Sequence, residues 1–65
     1  MKKTFEQLEL GDYLVFTNEI VEMGGFIEEK GIDYIKLNRG QDEPKWVISQ
    51  RFYEQKIDKF SEVIE

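Results

Sequence analysis

The sequence predicts a mainly β protein, a small antiparallel barrel carrying a short C-terminal helix. Three observations predict it. Runs of four to ten residues rich in β-branched and aromatic side chains are separated by strong turn signals, which is the pattern of an antiparallel meander. The stretch Ile32 to Asn38 alternates, with Asp33, Ile35 and Leu37 on one face and Ile32, Tyr34 and Lys36 on the other. A glycine pair, Gly24-Gly25, interrupts the second run, and a small barrel needs such a bend to fold its sheet over.

In chain order, Thr4-Phe5-Glu6-Gln7 has the form of a capping box and predicts one helical turn. "LELGDYLVF" then places a turn at Gly11-Asp12, because glycine reaches backbone angles that other residues resist and aspartate bonds nearby amides. A strand follows from Tyr13 to Thr17, and Asn18-Glu19 is a polar break. The second strand runs from Ile20 to Glu29, with a bulge or bend expected at Gly24 or Gly25. Lys30-Gly31 reads as a two-residue turn, Ile32 to Asn38 as the third strand, "NRGQDEPK" as a polar loop and Trp46-Val47-Ile48 as the fourth strand. The last third admits two readings. One is a short helix over about 50 to 56, capped by Ser49, with a closing strand near 60 to 64. The other is an α+β fold, an antiparallel meander with one helix from about 50 to 64, because Tyr53, Ile57, Phe60 and Ile64 form a helical stripe. The predicted core is Leu10, Leu14, Phe16, Val21, Ile27, Ile35, Leu37, Ile48, Ile57 and Phe60.

At 65 residues the chain makes a single domain, residues 1–65, with a thin stability margin. It has no cysteine, which fits a reducing compartment. No apolar run approaches a membrane span, and Met1-Lys2-Lys3 leads into Thr4, Phe5 and Glu6 without a signal peptide's apolar segment. A cytoplasmic protein that engages no membrane is the expectation. The net charge of -5 is spread along the chain, which serves solubility and runs against the basic balance of a generic nucleic-acid binder.

"LELGDYLVF", "MGGFIEE" and "IDYIKLN" together resemble small bacterial SH3-like β-barrels of the KOW or Tudor kind. In those, a Gly-Asp turn leads into strand one, a glycine precedes an aliphatic residue in strand two, here Gly25 with Phe26 and Ile27, and the next strand alternates. The resemblance spans roughly residues 8 to 48. It implies a barrel, and a group that includes ribosomal, transcription-factor, chromatin-reader and phage or plasmid accessory modules. It implies no single function.

Chemistry is sparse. Histidine and cysteine are absent, which removes the commonest general base, the thiol nucleophile and most transition-metal ligands. Ser49 and Ser61 have no histidine to activate them. Adjacent carboxylates such as Glu28-Glu29 and Asp42-Glu43 read as solvated surface. The expectation is therefore no enzyme, with no catalytic residue, metal or cofactor. If Leu14 and Phe16 face the core, Tyr13 faces out, and by the same alternation Tyr34 and Lys36 do too. Tyr13, Tyr34, Lys36, Trp46 and Tyr53 are the candidate partner-binding residues, since amphipathic aromatics commonly anchor contacts. The leading expectation is a protein-binding accessory or regulatory module, monomer or weak homodimer. A nucleic-acid-binding barrel that stacks bases on Tyr34 and Trp46 beside Lys36, Arg39, Lys45 and Arg51 is the second. An acidic mimic of DNA is the third.

Overall fold

The structure, a computed structural model, describes residues 3–62. A 3-10 turn, Phe5–Gln7, is followed by β1 (Tyr13–Thr17), β2 (Glu22–Lys30), β3 (Tyr34–Asn38), β4 (Trp46–Ser49), α1 (Gln50–Gln55), a second 3-10 turn at Ile57–Lys59 and β5 (Phe60–Glu62). Every strand pairing is antiparallel, and the order across the sheet is β4-β3-β2-β1-β5. The fold is mainly β with one short C-terminal helix. The alternative of a helix continuing to 64 is overturned: α1 stops at Gln55, and Phe60 enters a strand instead of extending the helix. Positions 63 and 64 of the expected closing strand lie outside the described residues.

The sheet is not a closed barrel. Among the described residues β4 and β5 are its two edges and do not pair. Both are short, and the chain leaves β4 directly into α1. Side chains bring the rims together instead: the Trp46 ring from β4 stacks near the Phe60 ring from β5, centroids 6.2 Å apart with planes at 24°.

The turns follow from their residues. Gly11 sits at φ +91°, a region that suits glycine, and the Asp12 N–H donates to the Glu9 carbonyl at 3.1 Å, as a type II turn requires. The Asp12 carboxylate accepts from the Glu9 N–H at 3.0 Å and so locks the same turn. Asn18 Oδ1 accepts from the N–H groups of Ile20 and Val21, which tightens the β1–β2 connection and delays β2 to Glu22. Lys30-Gly31 is not the turn. The Gly31 N–H donates to the Tyr34 carbonyl, so the hairpin tip is Ile32-Asp33 and β3 begins at Tyr34. Gln7 accepts from the Thr4 N–H at 2.9 Å in the first 3-10 turn, and Ser49 Oγ caps α1 by accepting from the Phe52 N–H at 3.1 Å.

The core holds Phe5, Leu8, Leu14, Phe16, Ile27, Ile35, Leu37, Ile48, Tyr53 and Phe60. Three expected core residues are elsewhere. Leu10 is 65% exposed because it sits at the Gly11 turn, and Leu8 turns inward in its place. Val21 is exposed beside the Asn18 turn, and Ile57 is half-buried against the core. The first 3-10 turn packs Phe5 against Tyr53, ring centroids 6.3 Å apart. Lys30 Nζ holds that turn by donating to the carbonyls of Glu6 and Leu8 at 3.1 and 2.7 Å.

Nor is the glycine pair a bulge. The β1–β2 register runs unbroken through Val15↔Gly24 and Leu14↔Gly25, and neither glycine has positive φ. The register shift lies between Ile27 and Glu29, against β3. Gly25 serves close approach instead: a Cβ there would stand 2.6 Å from the Asn38 carbonyl oxygen.

Lys3 ties the start of the described chain to its end, at 3.0 Å from Asp12 and 3.6 Å from Glu62. The Glu9 backbone N–H, aided by Lys3, holds the Asp12 carboxyl below its ordinary pKa, and the Lys45 ammonium does the same for Glu28. A carboxyl depressed in the folded state contributes stability above its ordinary pKa and loses it as pH falls through the depressed value. Thermal stability is therefore expected to decline below about pH 4, the ordinary carboxylate range. Asp12→Asn should flatten that acid limb in melts across the acid range. An unchanged limb would assign the acid sensitivity to other carboxylates.

Candidate binding surface

The pleat gives the sheet one face toward the core and one toward solvent. On the outer face β1 and β2 set Tyr13 opposite Phe26 and Val15 opposite Gly24. Tyr13 and Phe26 are each 44% exposed. A Cβ at Gly24 would lie 3.0 Å from the Tyr13 hydroxyl oxygen and 3.2 Å from Val15 Cγ2, so the tyrosine lies across the glycine. Tyr13, Val15, Gly24 and Phe26 make one apolar patch.

Tyr34 and Lys36 share that outer face without joining the patch. Phe26 is opposite Asn38, whereas Tyr34 stands opposite Gly31, four residues back along β3. Two strand spacings and that offset separate Tyr13 from Tyr34 by roughly 16 Å. Tyr34 lies flat over Gly31, where a Cβ would come within 2.0 Å of its ring. Its hydroxyl donates to the Glu29 carboxylate, and this hydrogen bond raises the hydroxyl's pKa. Lys36 pairs with the same carboxylate at 3.7 Å.

The other two candidates point inward. Tyr53 is only 1% exposed, wedged against Phe60 with ring centroids 4.9 Å apart, and its hydroxyl donates to the Lys3 carbonyl at 2.7 Å. It is a core residue, not a surface contact. Trp46 packs edge-on against Phe16 and Phe52, at 5.5 and 6.0 Å, and remains half-buried.

Trp46 does contribute to a groove of about 300 Å³ that follows β4 and is lined by Tyr34, Trp46, Val47, Ile48, Ser49 and Phe52. The hydrogen-bond alternation shows what this groove offers. The Tyr34 carbonyl bonds toward β2 through Gly31, and the Asp33 carbonyl bonds toward β4 through Gln50. Continuing that alternation, Ile35 and Leu37 bond β4 while Tyr34 and Lys36 bond β2. Val47 and Ser49, opposite Lys36 and Tyr34, therefore aim their N–H groups away from the sheet, and Val47 its carbonyl as well. Val47 is 56% exposed.

Phe26, Val47 and Phe52 were not among the sequence candidates. Alternation from Gly25 and Ile27 places Phe26 outward, and Val47 stands between the inward Trp46 and Ile48, so both signals were in the pattern. Phe52 follows only from the placement of α1. Among the described residues no helix is long and apolar enough to cross a membrane. The chain matches no protein-family model, no curated protein and no solved structure.

Proposed function

We propose that the chain is a non-enzymatic protein-binding module with an SH3-like arrangement of strands. The observation that carries this reading is the outer-face patch of Tyr13, Val15 and Phe26 over Gly24. Two large aromatics half in solvent are a liability in so small a domain, and they are more readily retained where a partner covers them. The SH3-like arrangement draws support from the sheet order β4-β3-β2-β1-β5 and from the helical turn before β5. An accessory or regulatory role follows from size and from the absence of histidine and cysteine.

The nucleic-acid reading is weaker because three of its four cations are engaged. Lys36 pairs with Glu29, Arg39 with Glu43 at 3.9 Å and Lys45 with Glu28 at 2.7 Å. Those pairs also occupy carboxylates that a mimic of DNA would display.

Cross-linked capture from a native extract tests the proposal. Tyr13→Ala and Phe26→Ala should each weaken partner binding by about 1–3 kcal/mol and leave the fold intact. A double variant that captures the same proteins as the parent sinks the proposal. So does binding to generic DNA or RNA that falls steeply with salt, the mark of counterion release.

A further inference from the structure

We propose that the outer-face patch takes a basic, arginine-bearing segment of the partner protein, with a guanidinium stacked on the Tyr13 ring beside Phe26 and answered by the Glu22 carboxylate. This rests on the protein-binding reading of the patch and names the chemistry of what covers it.

Charge is the first of three observations. Acidic residues are spread along the chain, but basic ones are not: between Lys3 and Lys30 there is no lysine or arginine, and that interval holds β1 and all of β2 except its last residue. Glu22 stands opposite Thr17 and two residues before Gly24, so alternation puts it on the outer face with Gly24 and Phe26. It is exposed and enters no ion pair among the described residues. Further along this face the charges cancel in pairs, Glu28 with Lys45 and Glu29 with Lys36. Lys59 borders the β1–β2 tip together with Glu19, so Glu19 and Glu22 stand there against one ammonium. A cationic segment is drawn to such a surface.

The second observation is the ring. Tyr13 spans Gly24, which has no side chain to lift it, so one ring face rests on the sheet and the other is open to solvent. A guanidinium is weakly hydrated and stacks on such a face more readily than an ammonium does. The hydroxyl end of Tyr13 lies over Gly24, and Glu22 is the next outer-face position, about 7 Å further along β2. A guanidinium on the ring is therefore within reach of that carboxylate, and the two match as a fork of parallel hydrogen bonds. The third observation is that the chain's own cations leave these rings alone. Among the described residues the cation–π contact is Lys30 over Phe5, at 5.3 Å. Trp46, Phe52, Tyr53 and Phe60, by contrast, pack their rings on one another.

The same observations choose among occupants. Nucleic acid and anionic lipid share the sign of the face and are repelled by it. A second copy would set one acidic β1–β2 face on another. Tyr13, Val15, Gly24 and Phe26 fall far short of the roughly 20–30 residues a side of a standard interface between folded proteins, so the occupant is a short segment.

The probe is a blocked synthetic peptide of alternating Arg and Gly, titrated into the full chain and followed through the ring resonances of Tyr13 and Phe26 and the amide of Gly24. Saturable shifts centred on these groups and on Glu22 are expected. A peptide of alternating Lys and Gly, equal in length and charge, should bind about threefold more weakly, the margin of an exposed cation–π contact. Tyr13→Leu keeps apolar bulk and removes the ring face, so it should bring the arginine peptide down to the lysine level. Glu22→Gln should weaken the arginine peptide severalfold without altering the fold, since Glu22 holds no ion pair. No saturable response, equal binding of the arginine and lysine peptides, a Glu and Gly peptide that binds as well, shifts centred away from the patch, or self-association that perturbs Tyr13 without peptide would each overturn the proposal. If the Tyr13→Ala, Phe26→Ala double variant loses its captured partner while the parent ignores the arginine peptide, the patch binds protein of another chemistry and this inference alone falls. Capture that the double variant leaves unchanged would take away the patch reading itself, and this inference with it.

Discussion

Phe60→Ala is expected to remove about 3–5 kcal/mol of stability, the range for truncating a buried aromatic. Phe60 opens β5, pairs with Phe16 across the β1 ladder and is only 1% exposed. Its ring meets those of Tyr53 at 4.9 Å, Phe16 at 5.0 Å, Phe52 at 6.1 Å and Trp46 at 6.2 Å. It is the ring of the β5 edge and meets Trp46 on the β4 edge and Phe52 and Tyr53 on α1, so its loss leaves a cavity where the two rims meet. At about 0.05–0.15 kcal/mol per residue a chain of this length holds roughly 3–10 kcal/mol in all. The variant should therefore be largely unfolded, or nearly so, at room temperature. Urea unfolding followed by Trp46 emission measures it, and Phe60→Leu, which refills part of the volume, should lose clearly less. A deficit for Phe60→Ala below about 1 kcal/mol would mean that the rims collapse onto one another and need no ring between them.

Gly25→Val is expected to lower stability by about 3 kcal/mol or more, at or above the top of the usual range for overpacking. The reason is not backbone freedom, since Gly25 has no positive φ and valine is at ease in a strand. It is distance. A Cβ at Gly25 stands 2.6 Å from the Asn38 carbonyl oxygen and 3.0 Å from its carbonyl carbon. Both neighbours are main chain, so no rotamer relieves the contact and the end of the β2–β3 ladder must open. Gly24→Ala supplies the contrast. Its nearest neighbours are side-chain atoms of Tyr13 and Val15 at 3.0 to 3.2 Å, which can shift. It should be the milder change, and it should displace Tyr13. Denaturant melts of the two variants rank them, and a Gly25→Val protein as stable as the parent would refute the close-approach account.

The strands were legible because alternation and turn chemistry are local. Ile35 and Leu37 between Tyr34, Lys36 and Asn38 announce a half-buried strand without reference to anything distant. Ser49 announces the start of α1 in the same way. What was not legible depends on tertiary geometry. Leu8 and Leu10 are equally apolar and two residues apart, and only the way the 3-10 turn docks beside Tyr53 selects Leu8 for the core. Tyr53 looked like a surface anchor because a tyrosine's polar tip suits solvent; here the hydroxyl finds the Lys3 carbonyl across the fold. The glycine pair was misread for a related reason. Glycine in a strand signals either a bend or a close neighbour, and the neighbour, Asn38, lies on another strand. Among the site candidates, alternation put Tyr13 and Tyr34 on the outer face, but their separation is a matter of register between β1, β2 and β3, which no local pattern carries.

The strand order also sets a timetable for synthesis. β1 lies between β2 and β5 in space, yet among the described residues β5 comes last along the chain. The hairpins from β1 to β4 close by local contacts as they emerge, whereas the β1–β5 ladder joins segments separated by most of the chain. Until Phe60 arrives, the inner rings of Phe16, Trp46 and Phe52 have no cover at the seam between the rims. A nascent chain that stops short of β5 is thus a sheet with its aromatic face bare, a species suited to chaperone capture or aggregation. Cover for the aromatic face of this domain therefore depends on a single three-residue strand, β5.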